Sequence, residues 1–288
     1  MKFIFLGEGY TASFLAPLLE KDFELIGTFK NIDNLKKKKK QTYIIKRFQF
    51  DEFILNKIQI LKETSHILVS IPPNDKGDLA LKEIQNELTK SDRIKWIGYF
   101  STTGVYGDHK GNWVNEDSKL RTENFRSLNR IKAENEYLSL FKKFKKPIHI
   151  FRLPGIYGPG RSTIDRLRSG SVKIINKKHQ FFSRIHVEDI ASCIIESIKK
   201  PTPGEIFNLT DNKPCSSKEV ILFTCKLMGI KPPEEIDFND ESLNELTKSF
   251  YIENKKVSNY KFKKMFKWNP KFFSYREGIK DIFENEDL

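Results

Sequence analysis

The chain is predicted to be an α/β protein: a doubly wound parallel sheet followed by a smaller lobe. Three observations predict this. Seven short apolar runs recur with helix-like stretches between them. Most of the runs are apolar nearly throughout, as strands buried on both faces are. The first run leads straight into a glycine-punctuated turn, GEGYTA (7–12), and then into a helix pattern. Such alternation argues for right-handed crossovers that lay helices on both faces of the sheet.

Strands are expected at residues 2–6, 24–28, 42–46, 66–71, 96–100, 148–153 and 205–209. The first helix carries Phe14, Leu15, Leu18 and Leu19 as a stripe toward the sheet. Pro72 and Pro73 end the fourth strand, because proline supplies no ladder N–H. No repeat of solenoid length is visible. After about residue 158 the alternation loosens into charged stretches, scattered aromatics and a helix pattern at 218–228. The expected domains are therefore 1–158 for the sheet, with 186–212 returning to it, and 159–288 mostly for a C-terminal lobe that covers the sheet's carboxyl edge.

Composition narrows the function classes. The longest apolar runs are about five residues, far short of the roughly 20 that cross a bilayer, and MKFIFLGE is too short for a secretory leader. A cytoplasmic protein with no membrane association is expected. Cys193, Cys215 and Cys225 are odd in number and lack CxxC spacing, which fits unpaired thiols in a reducing compartment. The five histidines show neither HxxxH nor HExxH, so no metal site is expected. A net charge of +13 invites a nucleic-acid reading, yet only residues 36–40 form a lysine block, between two strand candidates where a solvated loop explains it. Trp96, Trp113 and Trp268 lack a surrounding basic–aromatic stripe and read as packing residues. His186, just before Val187-Glu188-Asp189, reads as a helix cap.

The glycine turn is the first site. A dinucleotide pyrophosphate needs a tight strand-to-helix turn, a backbone without side chains in its way, and helix-start N–H groups facing negative charge. Gly7, Gly9 and Ala12, with Tyr10 and Thr11 opening the helix, supply GxGxxA in the context that a Rossmann fingerprint requires. The end of the second strand chooses the cofactor: a carboxylate there bonds the ribose hydroxyls of NAD, and a basic residue accommodates the phosphate of NADP. The sequence reads LIGTFKN, with Lys30 in that place, Thr28 beside it and Asp33 further into the loop. NADP is favoured over NAD.

Three further stretches carry a resemblance: YFSTTGVYGD (99–108), FRLPGIYGPGR (151–161) and SRIHVEDIA (183–191). With GEGYTA they resemble the extended and atypical short-chain dehydrogenase/reductases, the NAD-dependent epimerase/dehydratase family, over nearly the whole chain. HILVSIPPNDKGD (66–78) and SFYIENKKVSNYKF (249–262) resemble a bacterial subgroup of atypical members. The resemblance implies that Thr102 orients the substrate oxygen, that Asp51 meets the adenine, and that Ser70 and Pro72 line the cofactor. It also implies that Arg152 and Pro154 approach the nicotinamide side, and that Arg184 grips an anionic part of the substrate, with Thr103, Tyr106 and Tyr157 nearby.

Such enzymes move a proton with a tyrosine whose pKa is lowered by a lysine four residues on. Here the helix reads FRSLNRIKAENE, which puts Arg126 at the tyrosine position and Arg130 at the lysine position. Placing Lys132 as the lysine puts Leu128 opposite the tyrosine, so no local frame supplies the pair. Arginine does not release a proton at ordinary pH. Tyr106 and Tyr157 are alternative proton carriers or, equally, loop-packing residues. Arg126 and Arg130, one turn apart on one face, either hold an acidic substrate or form a solvated flank.

The expected function is an NAD(P)-dependent oxidoreductase or epimerase acting at a carbonyl or alcohol of a small, anionic or nucleotide-sugar-like substrate. The alternative is a protein that senses the dinucleotide without turnover. A homodimer is compatible with either.

Overall fold

The computed structural model describes residues 1–31 and 42–285. The lysine block at 36–40 and Asp33 lie outside the described residues. Two compact units emerge. The first comprises residues 1–102, 125–152 and 191–207, and the second 103–124, 153–190 and 208–288.

The first unit is built on β1 (Lys2–Leu6), β2 (Glu24–Phe29), β3 (Lys46–Gln49), β4 (Thr64–Val69) and β5 (Trp96–Thr102). Further along the chain come β6 (Trp113–Val114), β7 (Ile148–Leu153), β8 (Gly155–Tyr157), β9 (Ile174–Asn176), β10 (Arg184–His186) and β11 (Ile206–Asn208). The main sheet has the order β11-β7-β5-β4-β1-β2-β3, so the strand order reverses between β1 and β4. Pairing is parallel from β3 through β5, with Phe3 opposite Leu25 and His66. This is the doubly wound sheet the sequence predicts.

Helices α1 (Tyr10–Leu19), α2 (Phe50–Lys62), α3 (Leu79–Lys90) and α4 (Phe125–Phe144) connect these strands. Ile4, Leu6, Ile67, Val69, Ile97 and Tyr99 pack against Phe53, Ile84, Leu88, Ala133 and Tyr137 in one core. Removing this apolar surface from water is the main stabilising term. Burial of both strand faces is visible in β4 and β7, where every residue is buried.

Local expectations need correction. The fourth strand is Thr64–Val69, not 66–71, and so ends before Ser70. The first helix buries Ala12, Leu15, Ala16 and Leu19, whereas Leu18 is exposed. The inward stripe is i, i+3, i+4, i+7, and two alanines occupy it because small side chains let the helix approach the sheet closely. The third strand is Lys46–Gln49, not 42–46. Its pairing sets Ile26 opposite Lys46 and Thr28 opposite Phe48, and Phe48 enters the core. The apolar run ahead of it leaves Ile44 88% exposed.

The second unit holds β6, β8, β9 and β10, with β12 (Glu235–Asp237) and β13 (Lys256–Val257), in three two-stranded parallel sheets. Its helices are α5 (Thr163–Arg168), the first turn of α6 (Val187–Lys199), α7 (Ser217–Met228), α8 (Glu245–Ile252), α9 (Tyr260–Phe266) and α10 (Tyr275–Asn285). Helix α6 runs on into the first unit, which takes residues 191–207. Capping boxes at Ser162/Asp165 and Ser216/Glu219 start α5 and α7 by satisfying otherwise orphaned N–H groups. Tyr157, Ile164, Val220, Tyr275, Ile279 and Ile282 form one core of this unit.

Of the tryptophans, Trp96 and Trp268 are buried as expected, but Trp113 is half exposed, with the Lys256 ammonium 5.7 Å from its ring centre. Among the described residues no helix is long and apolar enough to cross a membrane.

Candidate cofactor and active site

The glycine turn closes β1 at the point where the strand order reverses, the usual ligand site of an open parallel sheet. Gly7 has φ +98°, a left-handed conformation that glycine adopts without strain. A Cβ there would stand 2.7 Å from Ser70 Oγ and 3.2 Å from the Ile71 backbone nitrogen, so glycine is required by space as well. Gly9 caps α1 with no side-chain hydrogen bond, and the position of its missing Cβ is open. Helix-start N–H groups without a side-chain cap, beside open space, are what a pyrophosphate needs. Tyr10 packs edge-on to Phe14, and Thr11 and Ala12 are buried at the first turn of the helix.

Neighbouring strands hold the turn. The fully buried Thr28 accepts the Gly7 N–H at 2.9 Å, so its hydroxyl supports the turn from beneath. Ser70 donates to the Gly7 carbonyl at 2.7 Å, and the N–H groups of Ser70 and Ile71 reach the Leu6 carbonyl. Lys30 follows β2 with an exposed side chain, Asp51 is exposed in the first turn of α2, and Pro72 is exposed beyond β4.

Helix α4 turns the stripe Arg126, Arg130, Glu134 toward β5, since residues four apart share a face. Arg130 donates to the Phe100 carbonyl at 2.5 Å and to Tyr99 Oη at 3.2 Å. Arg126, one turn earlier, is exposed. Thr102 ends β5. Below Arg130, the buried Asp78 accepts the Leu81 N–H at 2.8 Å and so caps α3. Burial raises the pKa of Asp78, with the Arg130 charge opposing. One helical turn further, Glu134 is buried and held by the Arg152 fork at 3.0 and 2.7 Å, and Ser101 donates to it at 2.5 Å.

The remaining candidates lie in the second unit. Tyr106 is fully buried and donates to Asn208 Oδ1 at 2.7 Å, while Tyr157 donates to the Ser274 carbonyl at 3.3 Å. Burial raises the Tyr157 pKa strongly, which disfavours a proton-releasing role. Thr103 is buried in the 3-10 turn after β5, and Pro154 is half-buried between β7 and β8. Arg184 donates through one nitrogen to the Phe182 carbonyl at 2.9 Å and to the Cys215 carbonyl at 3.1 Å. His186 accepts the Glu188 N–H at 3.3 Å, in keeping with a capping role.

Asp211 is 2% exposed, accepts the Lys213 N–H through Oδ1, and has no hydrogen-bond partner for Oδ2 among the described residues. Burial pushes its pKa up to about 7, with the Arg184 charge opposing. A carboxyl group with a raised folded pKa binds more protons folded than unfolded, so its contribution is present below about pH 4 and lost as pH rises through 7. Asp211→Asn is therefore expected to raise stability by about 1–4 kcal/mol at pH 8 and to change it little at pH 4. Thermal melts of both proteins at the two pH values check this. Asp189, itself raised by burial to about 6, is one of the charges that push Asp211 up, so part of the gain at pH 8 is relief of that repulsion.

No family model matches the chain. A protein of unknown function from Silicibacter pomeroyi DSS superposes on it with TM-score 0.88 at 32% identity, covering 99% of this chain and 98% of that one. The chain belongs to one family with that protein. The family has the epimerase/dehydratase fold: dTDP-glucose 4,6-dehydratase from Bacillus anthracis, solved in complex with NAD, superposes with TM-score 0.79 at 18% identity, over 99% and 97% of the two chains. Human dTDP-D-glucose 4,6-dehydratase is 24% identical over 208 residues, 67% of this chain. The match covers little more than half, 56%, of the human protein. The resemblance carried by GEGYTA, YFSTTGVYGD, FRLPGIYGPGR and SRIHVEDIA is thus borne out.

Several residues of this family member escaped the sequence reading. Glu8, inside GEGYTA, is buried and ion-paired to Arg47 at 2.7 Å. Nothing local signals that partner, which lies 39 residues away. Glu134 could have been found, since it stands four residues after Arg130 on one helical face. Tyr99 and Asp78 reach Arg130 only through the packing of α3 and α4 on the sheet.

Proposed function

We propose that this protein is an NAD(P)-dependent oxidoreductase or epimerase acting at a carbonyl or alcohol of a small, anionic, nucleotide-sugar-like substrate. The observation that carries this reading is the glycine turn, with an uncapped helix start and a Gly7 position no larger residue fits, at the reversal point of the sheet. Gly7, Gly9, Tyr10, Thr11 and Ala12 would hold the pyrophosphate, with Thr28 and Ser70 setting the turn. Asp51, Pro72, Arg152 and Pro154 would complete the dinucleotide site. Lys30, exposed directly after β2 where a basic residue accommodates the NADP phosphate, favours NADP over NAD. The bound nicotinamide would carry hydride. By the resemblance, Thr102 would orient the reacting oxygen, Arg126 and Arg130 would hold negative charge, and Thr103, Tyr106, Tyr157 and Arg184 would be substrate contacts. On this reading the unit with the dinucleotide turn would be the cofactor domain and the unit with Arg184 the substrate lobe of a cytoplasmic protein, with a homodimer compatible.

A second reading is a dinucleotide sensor without turnover. It is favoured by the helix that carries Arg126 and Arg130 where a proton-moving Tyr and Lys would stand, with Arg130 engaged by the Phe100 carbonyl. Single-turnover absorbance at the reduced-nicotinamide band, over a panel of nucleotide sugars, sugars and aldehydes, separates the two. Hydride transfer that Thr102→Ala abolishes supports the enzyme, whereas tight binding with no transfer supports the sensor. Lys30→Glu is expected to lower NADPH affinity at least about tenfold while sparing NADH. Equal affinity of the unaltered protein for the two cofactors would overturn the NADP preference.

A further inference from the structure

The pair Glu8–Arg47 is not explained by the fold alone. Glu8 is the residue between the two glycines of the turn, a place where the backbone must bend freely and where a charged side chain has no part in binding a pyrophosphate. Its N–H donates to the Thr28 carbonyl at 2.7 Å, and its side chain is fully buried. Arg47, on β3, donates to both carboxylate oxygens in a fork, Nε to Oε2 at 2.7 Å and Nη2 to Oε1 at 2.8 Å. Tyr43 adds a third donor at 3.3 Å. Gly27 on β2 is the fourth part: a Cβ there would stand 2.6 Å from Glu8 Oε2. The carboxylate outweighs the burial that opposes the Arg47 charge and holds its pKa above the ordinary value.

We infer that Glu8 is a positioning residue for the dinucleotide turn, tying it to β3 so that it stands ready before the cofactor arrives. This rests on the cofactor reading above. The physical reason is entropic. A loop with glycines at 7 and 9 samples many backbone conformations, and a ligand that had to order it would lose affinity by that cost. A two-point charge-assisted bond to a rigid strand removes the cost in advance. Burial makes the tie strict: a carboxylate with no exposure cannot swing into solvent without abandoning both oxygens' partners. Gly27 shows that the neighbouring strand is shaped around this carboxylate.

The test is fluorescence titration of the full chain with NADPH and with NADH, beside thermal melts. Glu8→Gln, which keeps the shape and loses the charge, is expected to weaken both cofactors about tenfold, the affinity equivalent of ordering roughly one backbone residue. Saturating cofactor should leave the hydride-transfer rate within about twofold, since the turn, once ordered, is the same. Leu88→Ala, a core cavity at the far end of α3 that lowers the melting temperature at least as much, should leave both affinities unchanged. Should Glu8→Gln fail to fold, Arg47→Lys serves, because it keeps the charge with a one-point contact, and it is expected to lose affinity by a smaller factor. Folded variants that bind NADPH and NADH within twofold of the unaltered protein would overturn the inference, as would an equal loss in Leu88→Ala. If the unaltered protein binds neither cofactor, the functional reading itself fails, a distinguishable result.

Discussion

Gly7→Val is expected to abolish dinucleotide binding, with affinity for NADPH and NADH falling at least about a hundredfold. Two penalties combine. At φ +98° a β-branched residue is strained by a kcal/mol or more, and its Cβ would stand 2.7 Å from Ser70 Oγ and 3.1 Å from Ile71 Cγ1. The turn must then move, and the helix-start N–H groups move with it. A loss of about 3 kcal/mol corresponds to the hundredfold effect. Titration against both cofactors, with circular dichroism to show that the sheet is retained, checks the expectation. Unchanged affinity would remove the turn from the cofactor site.

The second large effect is on stability. Arg152→Leu is expected to destabilise the protein by about 3–5 kcal/mol, because it strands the Glu134 carboxylate in the interior. Both side chains are 3% exposed, and no solvent can replace the lost fork. For a protein of this size that is a fall in melting temperature of about 10 °C. Glu134→Leu combined with Arg152→Leu should recover much of the loss, since no buried charge then remains, leaving mainly the missing Ser101 partner. Urea denaturation of the single and double variants measures the coupling directly. A single variant as stable as the unaltered protein would show that the pair contributes nothing.

This pair also sets the geometry of α4. Glu134 is tied to Ser101 and Arg152, and Arg130 is tied to Phe100 and Tyr99, so one helical face is fastened to β5 at two successive turns. Arg126 stands one helical turn before Arg130, and Thr102 directly follows Ser101 at the end of β5. Their spacing of four puts Arg126 and Arg130 on one face. That Arg130 bends inward to a strand carbonyl while Arg126 stays exposed is not legible in the spacing, because the difference depends on how closely the helix approaches the strand's carboxyl end.

The same division runs through the whole chain. Local chemistry alone determined the strand runs of the parallel sheet, the glycine turn after β1, the absence of a Tyr and Lys at 126 and 130, and the ends of β1 and β7. These follow from apolar periodicity, glycine's conformational freedom and side-chain identity, which a neighbour cannot change. Only the tertiary structure decided that β3 begins at Lys46 rather than at residue 42, that Leu18 faces out while Ala12 and Ala16 face in, and that Glu8 pairs with Arg47. Each of these is settled by a partner distant in sequence. Strand register and the pairing of a buried charge are properties of two segments at once, and neither segment carries the other's position in its own residues.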